Sequence, residues 1–226
     1  MRSAAAWLTV ALLTLVLAAG CHKQKPKQDD ELPSVRGSGV GSSTSRQLAP
    51  FSRIDVGGAL ELTVNVGKNE PLEMRGEDNL FEHVPSTVVG GELVLKPDAV
   101  LKTTQPLRLV VGTERLEALT AAVAAKVTVH GVKADAFTLR SGGAARVVLD
   151  GSASTLSVGA RSAAQLNLLA FSAGAVTASV QDFARVELGY VEKLDATQKG
   201  NGSITYRGTP DVTRHAERAE KVAPFH

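Results

Sequence analysis

Apolar and polar residues alternate along most of the chain, and between residues 116 and 210 the alternation falls into a short repeating unit. Five segments begin with a small residue and carry inward apolar positions separated by polar ones: Ala125–Gly131, Ala145–Gly151, Ala164–Ala170, Ala184–Tyr190 and Gly202–Gly208. Their starts lie 20, 19, 20 and 18 residues apart. A fixed short period is typical of a solenoid, in which each unit forms one rung and buries its apolar face against its neighbours.

The apolar positions of these units predict two ladders of inward side chains. One ladder is Val127, Val147, Leu166, Val186 and Ile204, and the other is Val129, Leu149, Leu168, Leu188 and Tyr206. Rungs stacked about 4.8 Å apart bring like side chains together and exclude water. A second short strand in each unit, such as the one with Phe137 and Leu139, completes the rung.

Alternation also predicts strands before the repeats, from Ile54 to Val66 and from Leu107 to Val111. Asp78–His83 is expected to form one helical turn capped by Asp78 or Asn79. Thr87–Leu95 is expected to form a hairpin, because Gly90 and Gly91 can adopt the positive φ of a two-residue turn. We therefore predict one all-β domain over residues 48–210, a β-helix or β-solenoid with rungs of 18–20 residues. The N-terminal strands and the hairpin pack on the same stack.

Residues 211–226 are predicted to be a C-terminal cap or tail, either as a short helix or as a last irregular strand. Either form would cover the open end of the stack, whose unpaired backbone groups favour edge-to-edge association.

The N-terminus has the layout of a secretory signal peptide over residues 1–20. Arg2 precedes an uncharged run from Ala4 to Ala19, which is shorter than the ~20 residues of a membrane-spanning helix. The run ends at Ala18-Ala19-Gly20-Cys21, which resembles the processing box of bacterial lipoproteins. This resemblance implies that Cys21, the only cysteine, becomes the first mature residue and carries acyl chains such as palmitate. His22 after the cysteine implies the outer membrane of a Gram-negative bacterium.

Residues 21–47 are expected to be the lipidated cysteine and a flexible tether, because they are polar and bury too little apolar area to fold. The cluster Lys23, Lys25 and Lys27 is either solvated or in contact with anionic headgroups. The net charge of the whole chain is only +2, which gives no electrostatic footprint for nucleic acid.

Several segments, in the same order along the chain, resemble the auto-transporter adhesin head GIN domain family. They are Phe51–Gly58, Glu77–Val84, Gly90–Leu95 and Gly200–Pro210, and the resemblance extends over roughly residues 38–210. It implies a β-helix-like fold, a surface or periplasmic setting and no catalytic residues. The corners between strands are richer in Ala than the family pattern, so the resemblance implies no shared ligand at the corners.

The outward column Lys126, Arg146, Gln165 and Arg185 is the candidate ligand-facing surface. Its basic residues suit a sulfated or acidic polysaccharide, or a surface protein. The alternative is a solvated face, with Glu187 beside Arg185 lowering the local charge.

Residue types and spacing predict no catalytic residue, no metal site and no cofactor. His130 and Asp150 lie one rung apart, and a surface pair of this kind is worth only about 0–1 kcal/mol. The other histidines lack the spacing of a zinc site. Phe171, Phe183 and Tyr190 are expected to fill the core or the corners rather than to form a sugar-binding platform.

The chain is thus predicted to be a non-enzymatic cell-envelope lipoprotein with an adhesin-like binding or structural role. Two alternatives stay open. One is a small polysaccharide-active enzyme on the same scaffold, and the other is a periplasmic sensor or scaffold.

Overall fold

The computed structural model describes residues 32–225, whose regular secondary structure is almost entirely β-strand. The strands are β1 (Ser34–Arg36), β2 (Gly41–Arg46), β3 (Arg53–Val56), β4 (Leu60–Val66), β5 (Leu72–Glu77), β6 (Ser86–Val89), β7 (Glu92–Leu95), β8 (Val100–Lys102), β9 (Leu107–Thr113), β10 (Ala118–Ala121), β11 (Lys126–Ser141), β12 (Arg146–Ala160), β13 (Gln165–Val180), β14 (Arg185–Gln198), β15 (Ser203–Arg207), β16 (Asp211–Ala216) and β17 (Val222–Pro224). Two short 3-10 helices occupy Asp78–His83 and Ala219–Lys221. The predicted signal peptide, Cys21 and the first part of the predicted tether lie outside the described residues.

The repeats form the predicted β-solenoid. Strands β11 to β14 stack in parallel, each bending at a corner where the pairing register shifts. Strand β15 continues the stack on the first half of β14, and β16 continues it on the second half. Each rung therefore contributes two stacked segments, joined by a corner.

Both predicted ladders lie in the core, with exposures between 0% and 4%. The apolar residues of the second segments, including Phe137, Leu156, Val176 and Leu194, belong to the same buried cluster. The column of small residues at the segment starts is also buried. A Cβ added to Gly202 would lie 2.5 Å from Cγ1 of Val180, which explains why the last member of this column has no side chain.

The N-terminal strands extend the same stack, as predicted. Strand β3 pairs in parallel with β10, and β4 pairs with both β11 and β9. The hairpin of β6 and β7 turns at Gly90 and Gly91, whose φ angles are 57° and 77°. Strand β7 then pairs with β3. The first half of the domain is therefore part of the solenoid sheets.

The helical turn at Asp78–His83 lies where it was predicted, but its predicted cap is wrong. The residue before the turn is Glu77, and no side chain caps the helix. The side chain of Asn79 is used elsewhere, since its Oδ1 accepts from Ser38 N and its Nδ2 donates to Arg36 O, both at 2.9 Å.

The expectation of a flexible tether up to residue 47 is corrected over residues 34–46. Strand β1 pairs in parallel with β8, and β2 pairs antiparallel with β5. Arg46 fastens this segment by donating to Phe81 O and Val84 O, both at 2.7 Å. Backbone hydrogen bonds do not depend on side-chain polarity, so a Ser-rich sequence pairs here without burying much apolar area. We call residues 34–46 the lead-in segment.

The lead-in segment packs on a buried carboxylate, that of Glu77. Its Oε1 accepts a hydrogen bond from Thr104 N at 3.0 Å and another from the Thr104 hydroxyl. These hydrogen bonds lower the pKa of Glu77 and outweigh burial, which would raise it. A Cβ added to Gly37 would overlap the carboxylate, so only glycine lets the lead-in segment approach this closely.

The C-terminal residues take the strand form of the predicted cap. Strand β16 lies against β14, and β17, which contains Pro224, lies against β15. Among residues 32–225, no helix has the length and apolar content required to cross a bilayer.

Candidate ligand-binding face

The predicted column of Lys126, Arg146, Gln165 and Arg185 lies on the outer face of the first rung segments. The four residues pair side by side in successive strands and are exposed. They point outward because the buried ladder residues alternate with them along each strand. Arg146 and Arg185 are two rungs apart, a separation of about 10 Å at the usual strand spacing.

Three members of this column line a shallow groove of about 280 Å³. We call it the basic groove. Its outward-facing residues are Arg146, Gln165, Arg185, Val148, Asn167 and Glu187. Val148, Asn167 and Glu187 were not predicted as site residues, although alternation places them outward two positions after the basic column. Val148 is 45% exposed and offers an apolar patch within a polar surface.

Lys126 does not line the basic groove, because Glu61 engages it. Its Nζ lies 2.9 Å from Oε1 of Glu61, while Nε of Arg108 lies 3.4 Å from Oε2 of the same residue. The hydrogen bond from Lys126 lowers the pKa of Glu61, against the opposing effect of burial, and Arg108 lowers it further. Lys126 is therefore paired within the protein, with a carboxylate that it shares with Arg108.

Arg146 and Arg185 differ from Lys126 in this respect. Within residues 32–225, neither guanidinium forms a salt bridge or a side-chain hydrogen bond. Glu187 lines the same groove, but it forms no ion pair with Arg185 among the described residues. The groove thus presents two guanidinium groups without an ion-pair partner on either side of the Gln165 amide, together with one carboxylate, that of Glu187.

His130 and Asp150 meet at a corner, with Nδ1 of the histidine 2.6 Å from Oδ2 of the aspartate. The other carboxylate oxygen accepts from Gly131 N at 2.6 Å. Burial would raise the pKa of Asp150, but the hydrogen bonds from Gly131 and His130 lower it overall. The hydrogen bond from Gly131, whose φ is 77°, links the pair to the turn of the backbone, so the pair stabilises the corner. Among the described residues, no cluster of three His, Cys, Asp or Glu side chains suits a metal ion.

The aromatic residues of the repeats divide into two groups. Phe171 is in the core, as predicted, with its ring centroid 6.2 Å from that of Phe137. Phe183 and Tyr190 lie at corners, which the prediction allowed, but they are 66% and 67% exposed and do not fill them. At corners the polypeptide turns, and the alternation that identifies buried positions is interrupted.

Stacked parallel rungs around one continuous apolar core define this protein as a single-domain β-solenoid with broad outward faces. The chain belongs to the family described as "putative auto-transporter adhesin, head GIN domain", whose model matches residues 50–210. The match confirms the resemblance found in the sequence.

Several solved structures share this fold. A putative adhesin from Bacteroides fragilis is 18% identical with a TM-score of 0.66, and the alignment covers 85% of this chain and 100% of that one. A putative lipid binding protein from Parabacteroides distasonis is 13% identical with a TM-score of 0.58, covering 85% and 100%. A putative adhesin from Parabacteroides merdae is 13% identical with a TM-score of 0.55, covering 86% and 100%. At these identities the likeness concerns the fold alone. No curated protein shows significant similarity to this chain.

Proposed function

We propose that this protein is a non-catalytic envelope lipoprotein whose β-solenoid head binds an acidic polysaccharide through the basic groove. The observation that carries the proposal is the pair of guanidinium groups of Arg146 and Arg185, which have no acidic partner among the described residues. The adhesin description of the family supports a binding role at the cell envelope.

The groove offers suitable chemistry for a chain that carries regularly spaced anionic groups. A guanidinium binds carboxylate or sulfate through two parallel hydrogen bonds, which a lysine ammonium does not reproduce. The two arginines lie about 10 Å apart, so each can engage a separate anionic group of one extended chain. Gln165 between them donates and accepts hydrogen bonds to sugar hydroxyls. Because the groups are exposed, binding should weaken as salt is added.

Two arginine substitutions test the groove against a matched control. We expect Arg146→Ala together with Arg185→Ala to weaken binding to immobilised polygalacturonate and heparin by about tenfold or more at low salt. Surface plasmon resonance on the full-length protein measures the change. Lys126→Ala is the control, because Glu61 already engages this lysine, and its affinity should stay within about twofold of the wild type.

Two results would contradict the proposal. In one, the double variant binds both polymers as the wild type does. In the other, Lys126→Ala weakens binding as much as the double variant, which would indicate attraction to general surface charge rather than to the groove.

A further inference from the structure

The corner of the fourth rung is shorter than the corners of the other rungs. Leu168 pairs with Leu188, and Ala173 pairs with Val191. The corner of the third rung, in β13, therefore contains four residues, 169–172, whereas the corner of the fourth rung, in β14, contains only Gly189 and Tyr190. This difference explains why the last repeat spacing is 18 residues instead of 20.

Gly189 makes the short corner possible. A Cβ on this residue would lie 2.2 Å from Phe171 O and 2.9 Å from Leu168 O, so any other residue would collide with the third rung. The short corner of the fourth rung projects less far than the longer corner of the third rung stacked against it. A concavity of about 350 Å³ therefore lies beside the short corner. Its residues include Ser152, Ser172, Gly174, Tyr190 and Glu192. We call it the Tyr190 concavity.

The ring of Tyr190 lies beside Gly208 of the next rung and is otherwise open to solvent. A Cβ on Gly208 would lie 3.5 Å from Cδ1 of Tyr190, so the absence of a side chain on Gly208 leaves space beside the ring. The side chain is 67% exposed, and within residues 32–225 its hydroxyl has no hydrogen-bond partner. Covering a large exposed aromatic face with a ligand is favourable, because it removes apolar area from water.

We propose that the Tyr190 concavity binds a neutral sugar ring. A pyranose has an apolar C–H face that stacks on an aromatic ring and a rim of hydroxyls that needs polar partners. Ser152 and Ser172 pair in adjacent strands and so present two hydroxyls about 4.8 Å apart. Glu192 accepts hydrogen bonds from sugar hydroxyls and repels an anionic ligand. Gly174 leaves room for the ring.

This subsite is separate from the basic groove. Arg185 lies at the start of the first segment of β14, and Tyr190 lies in the corner that follows that segment, about 16 Å further along the chain. The two sites also differ in charge, since two arginines and one glutamate line the groove, whereas one glutamate and no basic residue line the concavity. The inference therefore does not rest on binding at the basic groove.

The two tyrosines of the chain give a direct readout. Full-length protein in detergent, labelled with 3-fluorotyrosine, has one 19F resonance from exposed Tyr190 and one from Tyr206, which is 4% exposed. The probes are cellohexaose, chitohexaose and mannohexaose, added separately. We expect at least one of them to shift the Tyr190 resonance in a saturable way and to leave the Tyr206 resonance in place. The inference is overturned when none of the three shifts the Tyr190 resonance.

Variants then locate the binding by calorimetry with the responding hexasaccharide. Tyr190→Ala should weaken affinity by about tenfold, whereas Tyr190→Phe keeps the stacking face and should stay within about threefold. Phe183→Ala is the matched control, because it removes an equally exposed aromatic ring from a corner outside the concavity. Its affinity should be unchanged. Equal affinity in Tyr190→Ala and wild type, or equal losses in the Tyr190→Ala and Phe183→Ala variants, would overturn the subsite.

The double variant Arg146→Ala, Arg185→Ala distinguishes this inference from the proposed function. It should bind the neutral hexasaccharide as the wild type does. If it loses that binding, the Tyr190 concavity is not an independent subsite.

Discussion

Val123 adopts a backbone conformation that is unfavourable for its side chain. Its φ is 65°, and the equivalent corner positions are Gly143, Ser162, Asp182 and Gly200, with φ between 59° and 68°. The corner requires this conformation, because the carbonyl of Val123 accepts a hydrogen bond from Ala144 N of the next rung at 2.6 Å. A β-branched residue in the left-handed region costs roughly 1–2 kcal/mol. Val123 is 62% exposed, so burial does little to offset that cost.

We expect Val123→Gly to stabilise the protein by about 0.5–1 kcal/mol, because relief of the side-chain strain exceeds the entropy that glycine loses on folding. Urea unfolding followed by circular dichroism measures the change. Gly143→Ala at the equivalent position is the contrasting variant, since its Cβ would lie 2.6 Å from Val123 O, and it should destabilise the protein. A lower urea midpoint for Val123→Gly would show that the corner does not strain this valine.

The lead-in segment shows how a polar element is held to a solenoid. It pairs through backbone hydrogen bonds and is fastened by Arg46, Asn79 and the carboxylate of Glu77 beneath Gly37. The pKa of this carboxylate is lowered in the folded protein by hydrogen bonds from Thr104. Its contribution to stability is therefore complete above the ordinary glutamate pKa and is lost as the pH falls through the lowered folded-state pKa.

We expect Glu77→Gln to loosen the lead-in segment at neutral pH, because the amide cannot accept the Thr104 hydrogen bonds as a charged group does. Hydrogen–deuterium exchange should rise in residues 34–46 and stay unchanged in β12 and β13. The variant should also lose less stability than the wild type as the pH is lowered from 5 through the folded-state pKa of Glu77. The urea midpoint of unfolding at each pH measures this loss. Glu82→Gln, on an exposed side chain of the same region, is the control. Identical pH profiles for wild type and Glu77→Gln would contradict this role.

The two proposed binding sites lie on different parts of the solenoid surface. The core is one continuous apolar cluster from Phe51 to Val222, so the fold rests mainly on inward residues and not on the outward side chains of the two proposed sites. The basic groove and the Tyr190 concavity can therefore differ between related chains without loss of the fold. The lead-in segment connects this head to the residues that precede it, which include the proposed lipid anchor at Cys21.

We expect lipidation at Cys21 to hold the head at the outer membrane, because each buried methylene of an acyl chain adds about 0.8 kcal/mol of membrane affinity. Metabolic labelling with an alkyne analogue of palmitate in a Gram-negative host should mark the wild type and leave Cys21→Ser unlabelled. Fractionation should place the wild type with the outer membrane and release the variant. Labelling of Cys21→Ser, or release of the wild type into the soluble fraction, would refute the anchor.

Sequence alone determined the solenoid, its ladders and the outward column, because period-two alternation decides which face each side chain takes and the near-20 spacing stacks equivalent positions. Only the tertiary structure decided which charges are paired. Lys126 and Arg146 hold equivalent positions in their repeats, but Lys126 meets Glu61 across 65 residues of sequence. The tertiary structure also decided the pairing of the lead-in segment and the exposure of Tyr190. A strand such as β2 that pairs through its backbone and buries few side chains leaves no alternating pattern to recognise. How far a corner residue is exposed depends on the length of the corner stacked against it.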